Sequence, residues 1–245
     1  MSKKNLKIFL ILFFIIIVII ASWFSFFRSE LFNNQRDQGA RDENMTDTIN
    51  LPDPKKTSDN SLEELIKDRR SERSFSQDAL EVEEVSQLLW SAQGITEEVN
   101  NLRAAPSAGA LYPLDVYVVV SNCRGLDPGV YKYLPEKHSL KPVRTGDFSR
   151  PLAESALSQM FVAEAPLNLV ISGDYSITKN RYGDRGEQYV HIEVGHVSQN
   201  IFLQAESLGL GTVPIGAFDE GDVMDILDLD SNKTPFYIMP IGKKH

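Results

Sequence analysis

Three arginines fall within five residues in Arg69-Arg70-Ser71-Glu72-Arg73-Ser74-Phe75. Crowding guanidiniums at the exit of a helix is unfavourable unless an anion lies among them, and arginine's planar fork of donors matches phosphate. A solvated basic patch paired with Asp68 and Glu72 is the other reading. A second segment, Ala105-Pro106-Ser107-Ala108-Gly109-Ala110-Leu111-Tyr112-Pro113, places small side chains directly before an apolar run. Such a backbone lets a flat ligand approach closely, with amides and the Ser107 hydroxyl as donors; an ordinary loop has the same composition. The third segment, Gly209-Leu210-Gly211-Thr212-Val213-Pro214-Ile215-Gly216-Ala217-Phe218, is glycine-rich. It follows a helical pattern and lacks G-x-G-x-x-G spacing, so it is not a dinucleotide phosphate loop.

Other constellations carry less. His191-Ile192-Glu193-Val194-Gly195-His196 spaces its histidines by five rather than the four of HExxH, and no further ligands accompany it, so no metal site is expected. The single cysteine, Cys123, excludes an intramolecular disulfide framework and multi-cysteine metal clusters. A net charge of −9, with 34 acidic against 25 basic residues, argues against nucleic acid as a partner.

The elements that must position these segments follow from periodicity. Ser61-Leu62-Glu63-Glu64 is a capping box, and Leu62, Leu65 and Ile66 form the apolar stripe of the helix it opens. A second amphipathic helix carries Val82, Val85, Leu88, Leu89 and Ala92 and stops at Gly94. Residues 116–120 read as a buried strand, 130–143 as an irregular hairpin, 167–172 and 236–241 as further strands. Helices are expected near residues 152–160, over 187–208 and over 221–227. Two helices precede the first strand, so strict βαβ winding is excluded and an α+β domain fits.

The N-terminal region has a different character. Residues 8–27 carry no charge and no proline, and about 20 helical residues span roughly 30 Å, a bilayer core. Trp23, Phe24, Phe26 and Phe27 follow the small pair Ala21-Ser22, which suits an uncleaved anchor better than a signal peptide. Lys3, Lys4 and Lys7 put the N-terminus on the cytoplasmic side and the body outside it. The expected organisation is a cytoplasmic stub and transmembrane anchor over residues 1–28, a polar flexible tether over 29–60, and a globular body over 61–245.

Taken in order and spacing, RRSERSF, APSAGALYP and LGLGTVPIGAF resemble the FMN-dependent nitroreductase-like superfamily. The SAGALYP loop and the GHVSQNIFLQAESLGLG helix are most similar to its SagB/ThcOx-type dehydrogenase branch. The resemblance covers residues 61–242 and implies an α+β homodimer, a sheet flanked by helices, with FMN at the subunit interface. It implies that Arg69, Arg70, Ser71 and Arg73 hold the phosphate, ribityl chain and O2 side of the ring. Pro106, Ser107, Ala108 and Gly109 would reach the flavin from the partner subunit, and Pro214, Ile215, Gly216 and Ala217 would line the ring near N5 and O4. Common members have Glu-Gly where this chain has Gly216-Ala217, and Asn where it has Ala110. They also carry phosphate-binding cations in a tail past the last strand, a role left here to Lys243 or Lys244.

The implied activity is hydride or electron transfer from a reduced donor such as NAD(P)H to an organic acceptor such as a quinone or nitro compound. A SagB-type peptide azoline dehydrogenase, with a cyclodehydratase partner, is the first alternative. A non-catalytic, membrane-tethered flavin-binding module is the second. No side chain stands out as a general acid or base, and Tyr112 fits a buried structural tyrosine better.

Overall fold

The computed structural model describes residues 48–76 and 78–245. Its centre is the strand β5 (Leu114–Val120), in which nearly every residue is buried. The other long strands are β7 (Gly129–Leu134), β8 (Ser139–Thr145), β9 (Leu167–Gly173) and β11 (Thr234–Lys243). With β1 (Ile49–Asn50) and β10 (Leu210–Thr212) they form a sheet in the order β1-β8-β7-β5-β9-β11-β10, every pair antiparallel. Four shorter strands pair outside it, β2 (Leu80–Glu81) with β6 (Cys123–Arg124) and β3 (Ile95–Glu97) with β4 (Leu102–Arg103).

Alternation along the strands divides the core in two. Val116 and Val118 of β5, Leu169 and Ile171 of β9 and Met239 and Ile241 of β11 face one cluster. Tyr117, Val119, Val170 and Ile238 face the other. The first face is covered by α2 (Val82–Gln93) and α6 (Arg185–Ser207), the second by α3 (Ser149–Ser155), α4 (Phe161–Glu164) and α7 (Glu220–Leu227). At 23 residues α6 is about 34 Å long, and Val190, Val194, Val197 and Ile201 make its buried stripe. The shorter α5 (Tyr175–Tyr182) precedes it, while α1 (Leu62–Asp68) opens with the expected capping box and buries no residue.

Two expectations are corrected. No helix among the described residues is long and apolar enough to cross a membrane, so the single-pass membrane localisation and the extracytoplasmic placing of the body find no support there. The longest of these helices, α6, is amphipathic, with Arg185, Glu187 and His191 on its exposed side. The span expected at residues 8–27, its cytoplasmic stub and the tether up to residue 47 lie outside the described residues.

The tether also ends earlier than expected. Ile49–Asn50 pair with β8, and Leu51 is buried and donates its N–H to His138 O at 3.1 Å. Ser86 Oγ donates to Pro52 O, and the Gln87 amide brackets Lys55 by accepting from its N–H (2.8 Å) and donating to its C=O (3.0 Å). Residues 49–55 are thus bound mainly through their backbone, which a polar composition does not reveal.

Candidate functional site

The arginine segment begins where α1 stops. Arg69 is its C-cap, and beyond it the chain is extended beside the β10 edge. Ser71 forms a parallel bridge with Thr212, Glu72 N–H donates to Thr212 O at 3.0 Å, and Ser76 N–H donates to Lys243 O at 3.0 Å. Phe75 is buried between these bonds. A Cβ on Gly242 would fall 2.8 Å from Phe75 Cβ, so the glycine is required by close approach. Ser71 and Arg73 are exposed, Ser71 directly beside Thr212.

The three guanidiniums have different roles. Arg69 stacks over the Phe202 ring, 4.7 Å from its centroid. Arg70 folds back, donating through Nη1 to Lys67 O (2.9 Å) and Arg69 O (2.7 Å), so it caps α1. Arg73 meets no carboxylate among the described residues, and neither Asp68 nor Glu72 pairs with any of the three; Asp68 lies beside Lys67 instead. The pairing with Asp68 and Glu72 is therefore not what forms. At the C-terminus Lys244 Nζ donates to both Glu206 oxygens at 2.7 Å, which leaves Lys243 as the cation available at this edge.

The third segment completes the same region. Val213 and Ile215 are buried; Ile215 and Ile238 exchange backbone hydrogen bonds of 2.8 and 3.0 Å. Pro214 is half-buried, Gly216 and Ala217 are exposed, and the Gly216 N–H donates to no backbone acceptor among the described residues. Arg73 and Ser71 on the arginine segment, Lys243 at the end of β11 and the exposed Gly216 amide just past β10 thus offer cations, a hydroxyl and an amide along the β10–β11 edge. That donor set fits a phosphate and the electron-rich edge of a flavin.

The second segment goes elsewhere. Pro106, Ser107, Ala108 and Gly109 contact α5 and α6: His196 Nδ1 donates to Pro106 O at 3.2 Å, and Arg181 Nη1 to Gly109 O at 3.4 Å. Ser107 Oγ accepts from Tyr112 N–H at 2.9 Å, and Tyr112 OH accepts from Arg103 N–H at 3.0 Å. Gly109, Ala110 and Tyr112 all have positive φ, of 62°, 52° and 49°. Left-handed alanine and tyrosine are strained, which is the kind of loop found at ligand sites.

One buried acid near this loop belongs to none of the three segments. Glu193, within the 191–196 segment that lacks zinc spacing, is 2% exposed. It lies three residues after Val190 and four before Val197, on the apolar stripe of α6, so an acid at a core register was readable from periodicity. Burial pushes its carboxyl up to about 7, against the opposing influence of Ser107, Gln93 and Arg103.

The sequence profile of the nitroreductase family matches residues 66–243, and the chain belongs to that family, whose members are oxidoreductases. A Methanocaldococcus jannaschii protein named as a nitroreductase is 45% identical over 196 residues, 80% of this chain and 96% of its own. The microcin B17-processing protein McbC of Escherichia coli, of the SagB-like branch, is 28% identical over 158 residues, 62% of this chain and 57% of McbC. A crystal structure of a Ralstonia eutropha nitroreductase superposes with a TM-score of 0.72 at 28% identity, over 82% of this chain and 91% of that one.

Proposed function

We propose that this protein is an FMN-dependent oxidoreductase that passes hydride or electrons from a reduced donor, NAD(P)H among the candidates, to an organic acceptor such as a quinone or nitro compound. The observation that carries this is an exposed Arg73 guanidinium that meets no carboxylate among the described residues, on a segment whose backbone is bonded to Thr212 and Lys243. When bound, FMN supplies the hydride acceptor, so no protein nucleophile is required. Arg73 and Lys243 would balance the phosphate and the ring edge that gains electron density on reduction. Gly216 and Ala217 would present backbone rather than a carboxylate side chain to the ring.

The working unit would be a homodimer. Leu62 and Ile66 on α1 are more than half exposed, and a groove of about 1040 Å³ opens between residues 53–60, α1, α2 and α6. A second copy seated there accounts for the apolar exposure. It also accounts for the separation of the 106–109 loop from the other two segments, since that loop would serve the partner's flavin. A peptide azoline dehydrogenase acting with a cyclodehydratase is the second reading, supported by the similarity to the microcin B17-processing protein.

The test is the absorption spectrum of the purified full chain, followed by anaerobic addition of NAD(P)H. Flavin that bleaches with the donor and is restored by a quinone supports the reductase. Flavin that no donor or acceptor changes supports a non-catalytic binding module. Arg73→Ala is expected to weaken FMN binding by about 1.5–3 kcal/mol, the range for a charge-assisted hydrogen bond. Unchanged affinity would remove Arg73 from the site.

Gly216 separates backbone from side-chain roles. Its φ lies outside the left-handed region, and an added Cβ would lie 3.4 Å from the Tyr237 ring, an ordinary contact. Gly216→Ala is expected to keep FMN and its reduction, whereas Gly216→Pro, lacking the N–H, should slow reduction more than it weakens binding. Stopped-flow reduction of the flavin-loaded variants decides; a proline variant reduced at the wild-type rate excludes the backbone donor.

A further inference from the structure

Glu193 and its surroundings form a polar network that the proposed chemistry does not use. The Glu193 carboxyl, on α6, lies close enough to Ser107 of the 106–109 loop and to Gln93 of α2 for both to favour its ionised form. Gln93 Oε1 accepts from Arg103 Nη1 at 3.2 Å, so its amide nitrogen is left for the Glu193 side. Yet Gln93 Nε2 and Glu193 Oε1 are both buried and complete no hydrogen bond. A buried polar atom without a partner is costly, and two adjacent ones are rarely accidental.

Ser107 is the link to the loop. Its Oγ already accepts from the Tyr112 N–H, so its own O–H is free to donate to the carboxylate. With both bonds made the hydroxyl is fixed, and with it the turn that carries Ala108 and the left-handed Gly109. Arg103 is the charged group acting on Glu193; it is shared with Glu136 through a 2.9 Å ion pair and stacks over Tyr112. His196, one turn further along α6, holds the neighbouring Pro106 carbonyl.

We propose that Glu193 is a positioning residue for the flavin loop: ionised, it holds Ser107 and sets the backbone of residues 106–109 for binding, and protonation releases that hold. The proposal rests on the FMN reading of the site. It adds a control of flavin binding by one buried proton. Burial places that titration near neutrality, and a charge-assisted bond is about twice as strong as the neutral one that replaces it.

The full-chain protein tests this by flavin-fluorescence quenching between about pH 5.5 and about pH 8.5. Riboflavin is measured beside FMN, because the FMN phosphate itself titrates near about pH 6 and riboflavin has none. Wild-type affinity for both is expected to fall roughly tenfold across the acid half of that range. Glu193→Gln should be flat with pH, Glu193→Asp should restore a transition, and Ser107→Ala alone should remove it. In the Ser107→Ala background, Glu193→Gln should add less than about twofold. A wild-type transition retained in Glu193→Gln or in Ser107→Ala overturns the proposal, as do losses that multiply in the double variant. Should Glu193→Gln fail to fold by circular dichroism, Ser107→Ala and Glu193→Asp decide alone. Wild-type protein that binds no flavin at any pH overturns the FMN reading itself, whereas binding with the wrong pH profile overturns only the role of Glu193.

Discussion

Phe75→Ala is expected to cost about 3–5 kcal/mol of stability, the range for truncating a buried aromatic, and to weaken flavin binding as well. Phe75 is 3% exposed and fills the space that Gly242 leaves by lacking a side chain. Backbone bonds from Glu72 to Thr212 and from Ser76 to Lys243 stitch the segment to β10 and β11 on either side of it. Without the ring, those two bonds must hold Ser71 and Arg73 in place alone. Urea denaturation gives the stability loss. FMN titration well below the denaturation midpoint gives the second effect. A variant with the wild-type midpoint would mean that Gly242 and Phe75 are not packed as described. A variant that is destabilised yet binds FMN with wild-type affinity would separate the anchor from the site.

The same segment shows how far residues alone could be read. Arginine density alone leaves an anion site and an acid-paired patch both open, and only the order of the three segments favours the anion; the structure pairs the segment's backbone with Thr212 and Lys243. What density could not say is which guanidinium is free. Arg70 satisfies carbonyls at the end of α1 and Arg69 lies on Phe202, because each is the nearest donor or flat cation to those groups once the chain turns. Such assignments depend on three-dimensional neighbours up to 133 residues away, as for Arg69 and Phe202.

Elements with strong periodicity were legible and those held by backbone were not. The buried valines of β5 and the apolar stripe of α6 announced themselves. The strand β1 and the residues after it did not, since their partners Ser86, Gln87 and His138 bind carbonyls and amides that every residue has. The helix α5 buries only Thr178 and owes its start to an Asp174 side chain accepting from Ser176 N–H. A single cap in a polar stretch is a weak signal. Pro235 and Pro240 obscured the length of β11, which nevertheless runs for ten residues with a register shift beside Pro235.

Glu193→Gln is expected to stabilise the protein by about 2–3 kcal/mol at about pH 8 and to change little near pH 5. The folded carboxyl titrates at about 7 against an ordinary 4.5, so between those values the native state holds a proton that the unfolded chain has lost. Stability must then fall as pH rises through this window, and it is fully present only below the unfolded value. Burial drives the shift, and an uncharged isostere avoids the desolvation that the anion suffers at high pH. Urea denaturation of both proteins at the two pH values measures the difference. An equal offset at both pH values would assign the substitution a packing effect and place the Glu193 titration elsewhere. A larger offset at alkaline pH would show that the fold tolerates an ionised acid in its core at a cost in stability. Such a cost is what a group retained for positioning a ligand loop, rather than for folding, should carry.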